Sequence, residues 1–271
     1  SKNSALVIGD PFLDGYVTQL PGAYKEAEMV SATLKENDFD PRLILRGSAP
    51  EIIKNLFSDD YKIIHLAGHG NFSPDAPETS GMVIGKEIFL TTAEIAQMSM
   101  TPELVFVNCC FLGKTEGAAE ELYRSRYKLA ANIGTQLIEN GVKAVVVAGW
   151  AVDDAAAMDF TKTFYTCMFD VGSFGESVQK ARHNIYQKYH NANNTWGAYQ
   201  CYGDPFYRFD TRYRQTKKFA PVYVIAEEAE IALSNLRNEM DMGNYDEKEL
   251  LVRLEAISAA VDNAGLRTTK I

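Results

Sequence analysis

The stretch Ile63-Ile64-His65-Leu66-Ala67-Gly68-His69-Gly70 decides how this chain is read: a short apolar run that ends on a histidine held between two glycines. A second run, Leu104-Val105-Phe106-Val107-Asn108-Cys109-Cys110, ends on a cysteine just before Phe111-Leu112-Gly113. Both read as strands that give way to loops. Around them, short apolar runs alternate with longer amphipathic stretches over the first two hundred residues, the pattern of a mostly parallel sheet covered by helices on both faces. The expected strands are Ala5 to Gly9, Arg42 to Leu45, Lys62 to Leu66, Leu104 to Asn108, Ala144 to Ala148 and Ala198 to Cys201.

Helices fill the gaps. Gly22 to Asn37 places Ala27, Val30 and Leu34 on one face, Ala49 to Ser58 does the same with Ile52, Ile53 and Leu56, and Lys128 to Asn140 stops at Gly141. Met82-Val83-Ile84 and Ile88-Phe89-Leu90 flank Gly85-Lys86-Glu87 and read as a small hairpin. From Tyr213 the character changes. A basic linker with Arg214, Lys217 and Lys218 leads to two helical stretches, Val224 to Met240 and Glu247 to Asn263, joined by a turn from Asp241 to Asp246. The chain is therefore expected to divide into residues 1–212, an α/β domain, and 213–271, a linker and helical hairpin that would suit the start of a helical repeat array.

With 271 residues the chain can bury a sizeable core, and its 46% hydrophobic and 23% charged residues are ordinary for a globular protein. A net charge of −9 argues against a nucleic-acid-binding surface. The four cysteines, Cys109, Cys110, Cys167 and Cys201, lack the paired spacing of a zinc site. His65 and His69 would match two metal ligands on a helix, but on a strand residues four apart are separated by about 13 Å. Neither metal nor cofactor is expected. No apolar stretch reaches the roughly eighteen residues of a membrane span, and no signal-peptide pattern appears, so a cytoplasmic setting is the expectation. Ser1 in the first position suggests a piece of something longer, with a regulatory domain or partner chain outside it.

His69 and Cys110 carry the chemistry. A thiol near its reference pKa of about 8.5 is mostly protonated at neutral pH, and an adjacent imidazole makes it a useful nucleophile. In open parallel sheets, sites form at the carboxyl ends of strands, where both residues are expected; if their strands are neighbours they share one cleft. The backbone N–H groups of Gly70 and Cys110 would form an oxyanion hole. Strand alternation allows only one of Cys109 and Cys110 to face the cleft, and Cys110, nearer the loop, is the better nucleophile; Cys109 then belongs to the core. In Trp150-Ala151-Val152-Asp153-Asp154, one aspartate is expected to cap a following helix and the other to reach the cleft, where it would attract a basic substrate side chain.

These residues together resemble the CHAT-domain family of caspase-like cysteine peptidases, in the clan of separase, gingipains and legumain. The resemblance covers about residues 4 to 209. It rests on Gly9-Asp10-Pro11, on Leu20-Pro21-Gly22-Ala23 with Glu26-Ala27-Glu28, on His65 to Gly70 and on Val107 to Gly113. It continues through Gly141 to Val146, Trp150 to Asp154, Trp196-Gly197-Ala198-Tyr199 and Tyr202-Gly203-Asp204-Pro205. It implies a caspase-like three-layer sandwich, with His69 as base and Cys110, three residues before Gly113, as nucleophile. By analogy with separase it implies that Asp154, with Asp153 second and Trp150 beside them, shapes a pocket for a basic P1 residue. The chain departs from the family in Cys109, in Phe111-Leu112 and in a longer connection over Ala119 to Leu129, all close to the cleft. The resemblance further implies a cysteine endopeptidase that cuts a specific protein partner as a regulated effector, including in bacterial defence. The alternative is a catalytically silent caspase-like module for protein interaction.

Overall fold

The computed structural model describes residues 3–71, 80–111, 130–150, 152–170, 172–209, 221, 223–241 and 247–267, with residues 110, 111, 238, 239, 241 and 247–249 described as backbone only. The expected loop residues after Leu112, the basic linker and the turn residues 242–246 lie outside this set. The chain divides into two units, Ser1–Phe209 and Asp210–Ile271.

In the first unit the order is β1 (Ser4–Gly9), α1 (Pro21–Lys35), β2 (Asp40–Leu45), α2 (Ala49–Leu56), β3 (Ile63–Asn71), β4 (Gly81–Gly85), β5 (Ile88–Leu90), α3 (Thr92–Ala96) and β6 (Leu104–Phe111). Helical residues 130–139 (α4) follow, then β7 (Ala144–Ala148), α5 (Asp154–Phe169), α6 (Phe174–Tyr189) and β8 (Tyr199–Gly203). The main sheet runs β2-β1-β3-β6-β7-β8, with the first five strands parallel and β8 antiparallel to β7. The β4–β5 hairpin is attached to the end of β3. The fold is thus an α/β sandwich with a mostly parallel central sheet.

Period-2 alternation sorts the strand residues onto two buried faces, as expected where helices cover both sides of a sheet. Leu6, Ile8, Ile64, Leu66, Val105, Val107 and Cys109 pack with α2, α3 and α4. Ala5, Val7, Ile63, Phe106, Val146 and Ala148 pack with α1, α5 and α6. Phe106 is central to the second core, in ring contact with Phe160, Phe164, Tyr165 and Tyr199.

Two strands are longer than their sequence pattern suggests. β3 continues past Leu66 to Asn71, and β6 past Asn108 to Phe111. β1 pairs with β3 only as far as Ala67, after which Gly70 and Asn71 pair with Met82 and Gly81 of β4. The hairpin therefore supplies the backbone partner that β1 no longer provides. The glycines also serve packing: a Cβ on Gly68 would press into the Met82 side chain and against Pro11.

Helix α6, which leads the chain back to β8, starts with a capping box. Glu176 N–H donates to Ser173 Oγ at 3.3 Å, and Ser173 N–H donates to the Glu176 carboxylate at 2.7 Å. That second bond is the main reason the Glu176 carboxyl lies below its ordinary value of 4.5, with Arg208 and Lys180 adding to it. We expect Ser173→Ala to cost about 1 kcal/mol in denaturant unfolding. Because the folded-state pKa of Glu176 is depressed, its contribution is present above pH 4.5 and is lost as pH falls through the folded value. The stability difference between wild type and Glu176→Gln, which removes the carboxylate, should accordingly shrink in acid.

In the second unit, α7 (Ala226–Asp241) and α8 (Glu247–Ala264) form a helical hairpin around Ala229, Leu236, Leu250, Ile257 and Val261. Among the described residues no helix is long and apolar enough to cross a membrane.

Candidate active site

β3 and β6 are adjacent parallel strands, and their register makes His69 and Cys110 direct partners, with Gly68 opposite Cys109 and Gly70 opposite Phe111. Neighbouring strands lie about 4.8 Å apart, so two residues separated by 41 positions in sequence become nearest neighbours across the ladder. They stand beyond the point where β1 stops pairing with β3, at Ala67, and β7 stops pairing with β6, at Val107. The two strands thus project past the carboxyl edge of the sheet, next to the switch point between β1 and β3 where strand order reverses.

Alternation assigns the two cysteines to opposite faces. Cys109 is buried in the core on the α2, α3 and α4 side, its Sγ 4.0 Å from the Leu66 carbonyl oxygen. Position 110 alternates with Phe106 and Asn108 onto the face covered by α1 and α5, the face that also carries His65 and His69. Cys167 is buried, and burial pushes the Cys201 thiol up to about 12, which keeps it protonated at neutral pH.

His69 is itself nearly buried, and its Nε2 lies 2.6 Å from the main-chain oxygen of Thr18 in the loop after β1. A carbonyl can only accept, so Nε2 carries the proton and Nδ1 of the neutral ring is left as the acceptor. Thr18 had no signal in the sequence, because a backbone carbonyl has no residue type. Gly70, the other expected oxyanion donor, pairs with Phe111 on one side and Met82 on the other.

Below this pair lies a buried polar ladder. Glu26 on α1 accepts from Asn108 Nδ2 at 2.6 Å and from Thr161 Oγ1 at 3.2 Å. His65 Nε2 stands 3.1 Å from Glu26 Oε1, close enough for an ion pair but misaligned for a straight hydrogen bond. Its Nδ1 contacts the Tyr165 hydroxyl at 3.2 Å. Burial, with the Glu26 carboxylate adding to it, holds the Tyr165 phenol well above its ordinary value of 10.0. The signal for this ladder was present: Glu26, His65 and Asn108 occupy positions that the apolar pattern would bury.

The remaining expected residues lie around the loop after β7. Asp153 caps α5: its carboxylate accepts from Ala156 N–H at 3.0 Å, and its own N–H donates to Thr195 Oγ1 at 3.1 Å. Asp154 is exposed, its carboxylate set over Gly22 in the first turn of α1, where a Cβ would collide with it. That turn has no acidic residue and no side-chain cap of its own, so Asp154 supplies the negative charge its dipole favours. Asp154 therefore stands beside the loop that delivers Thr18 to His69. Trp150 is half-buried, its indole N–H donating to Asn194 Oδ1 at 3.2 Å and its ring lying over Gly197.

No curated protein matches the chain. Among solved structures, the crystal structure of the Arg-specific cysteine proteinase gingipain R is similar at a TM-score of 0.51 and 14% identity, over 76% of this chain and 47% of that one. The complex of the pro- and mature domains of RgpB from Porphyromonas gingivalis is similar at a TM-score of 0.48 and 13% identity, over 75% of this chain and 47% of that one. The chain thus spans about half the length of these structures, and the likeness to gingipain R is one of fold alone. In sequence, residues 1–204, nearly the whole first unit, fit the family model of the CHAT domain, and the chain belongs to the CHAT domain family.

Proposed function

We propose that this chain is a cysteine endopeptidase in which His69 activates Cys110. The single observation that carries this reading is the register partnership of His69 and Cys110 at the open edge of the sheet, with the Nε2 side of His69 already tied to Thr18. His69 Nδ1 takes the thiol proton as Cys110 sulfur bonds to the scissile carbonyl carbon. The N–H groups of Gly70 and Cys110 hold the oxyanion. Collapse of the adduct breaks the C–N bond, and the departing amine takes the proton from His69. Water, deprotonated by the same imidazole, then cleaves the thioester, returning the thiol and a carboxylic acid product.

Asp154 is the acidic residue we assign to a basic P1 side chain, because the carboxylate of Asp153 is engaged in capping α5. Gingipain R, similar in fold, is Arg-specific. Asp154→Asn should lower kcat/KM for Arg or Lys at P1 by about ten- to hundredfold while leaving Leu at P1 nearly unchanged. Equal losses for both substrates would remove the assignment. Trp150 borders the same loop. We propose further that the chain is a regulated effector acting on a specific protein partner, including in a bacterial defence setting, a reading that the resemblance to the CHAT-domain family supports.

The experiment that tests the reading is covalent labelling with peptide chloromethylketones or fluoromethylketones carrying Arg, Lys, Leu or Asp at P1, followed by mass spectrometry of the modified peptide. Labelling of Cys110 that depends on His69 is the expected result. Absence of labelling in the full-length protein with its activator would favour a silent interaction module.

A further inference from the structure

The contact between His69 and Thr18 joins β3 to a loop, and a loop carbonyl is a useful anchor only if something fixes the loop. Asp10 does so from both directions. Its own N–H donates to the Ala67 carbonyl at 3.0 Å, two residues before His69 on β3. Its carboxylate Oδ1 accepts from Leu20 N–H at 2.6 Å and from Gln19 Nε2 at 2.7 Å, the two residues directly after Thr18. Gln19 Nε2 also reaches the carbonyls of Asp10 and Pro11 at 3.2 and 3.0 Å, and Gln19 Oε1 accepts from Leu13 N–H at 3.2 Å. The second carboxylate oxygen, Oδ2, takes Arg46 Nε at 3.1 Å. Asp10 is 1% exposed and sits at φ 48, in the left-handed region that Asp and Asn tolerate better than other side chains.

From this geometry we infer that Asp10 is the positioning residue for the general base: it holds the Thr18 carbonyl against Nε2 and thereby fixes both the ring orientation and the tautomer of His69. The inference builds on the peptidase reading but does not share its fate, because the tautomer exists whether or not the chain cleaves anything. A carboxylate is required because Oδ1 and Oδ2 accept at once from three N–H donors. An amide has one acceptor oxygen and must turn an NH2 group toward either Arg46 or the Gln19–Leu20 pair.

Asp10→Asn suits the left-handed backbone, so it isolates the hydrogen bonds from strain. In the otherwise wild-type chain it should lower kcat by about ten- to hundredfold with KM little changed, as expected when a reacting group is misplaced and binding is not. In a Cys110→Ala background, at about pH 8, where an ordinary imidazole is neutral, the ring 15N shifts of His69 should report a single Nε2–H tautomer. Adding Asp10→Asn should convert it to a mixture. Asp14→Asn removes an equal charge from the same loop and should leave the tautomer unchanged. If Asp10→Asn unfolds, Gln19→Met at a half-buried position replaces it and should shift the tautomer in the same direction. An unshifted tautomer in a folded Asp10→Asn chain overturns the inference, even if wild type labels at Cys110. A shifted tautomer in a chain that never labels sustains the inference and sinks the peptidase reading.

Discussion

Cys110→Ala should abolish covalent labelling and peptide cleavage, and His69→Ala should lower kcat/KM near neutral pH by about 10²–10⁴, the usual contribution of a positioned general base. The two effects differ in kind. Removing the sulfur removes the atom that bonds to the substrate, whereas removing the imidazole leaves a thiol that still ionises as pH rises toward its ordinary range of about 8.5. The alkylation rate of His69→Ala should therefore climb steeply with pH and approach wild type in alkali. The variant should also stay folded. The carbonyl released by the loss of His69 belongs to Thr18, an exposed residue, so water can take the vacated bond. A His69→Ala chain that is alkylated at the wild-type rate near neutral pH would falsify the dyad.

Glu26→Ala should be the most damaging substitution for stability, at about 3–5 kcal/mol, the range for breaking one side of a buried charged network. Glu26 is 2% exposed and is the hub to which Asn108, Thr161 and His65 all turn. Without it, Asn108 Nδ2 and Thr161 Oγ1 lose their acceptor in a region walled by Phe106, Phe160 and Tyr199. Domains of this kind are stable by only about 5–15 kcal/mol, so the loss should be obvious in both denaturant midpoint and Tm. Replacing Glu26, His65 and Asn108 by apolar residues of similar volume together with Thr161→Val, Tyr165→Phe and Tyr199→Phe should cost less than Glu26→Ala alone, because the buried hydroxyls that contact them are removed as well. A loss below about 1 kcal/mol for Glu26→Ala would mean that the ladder is hydrated and contributes little.

Much of the fold was legible because its signals are local. Runs such as Leu6 to Ile8 and Val145 to Val147 are apolar on both faces, which marks a sheet covered on both sides, and Gly141, at φ 95, ends a helix where the backbone requires glycine. Strand ends were less legible. The expected strands stop at Leu66 and Asn108, yet β3 and β6 continue to Asn71 and Phe111, since a strand persists as long as its backbone groups find partners. The lone polar residues in apolar runs, His65 and Asn108, carried a signal as well. Only the packing of α1 against the sheet brings Glu26 to meet them.

The sequence by itself determined the α/β class, and it assigned Cys109 to the core and position 110 to the opposite face, because strand alternation has a period of two residues and needs no knowledge of neighbours. It also determined that two reactive residue types stand at strand ends. Tertiary structure alone decided that β3 and β6 are adjacent and in a register that makes His69 and Cys110 partners, and that the carbonyl of Thr18, 51 residues away, meets Nε2. Periodicity is a property of a segment. Register and the identity of a hydrogen-bond acceptor are properties of a pair, and each pair is fixed only when the whole sheet has chosen its order.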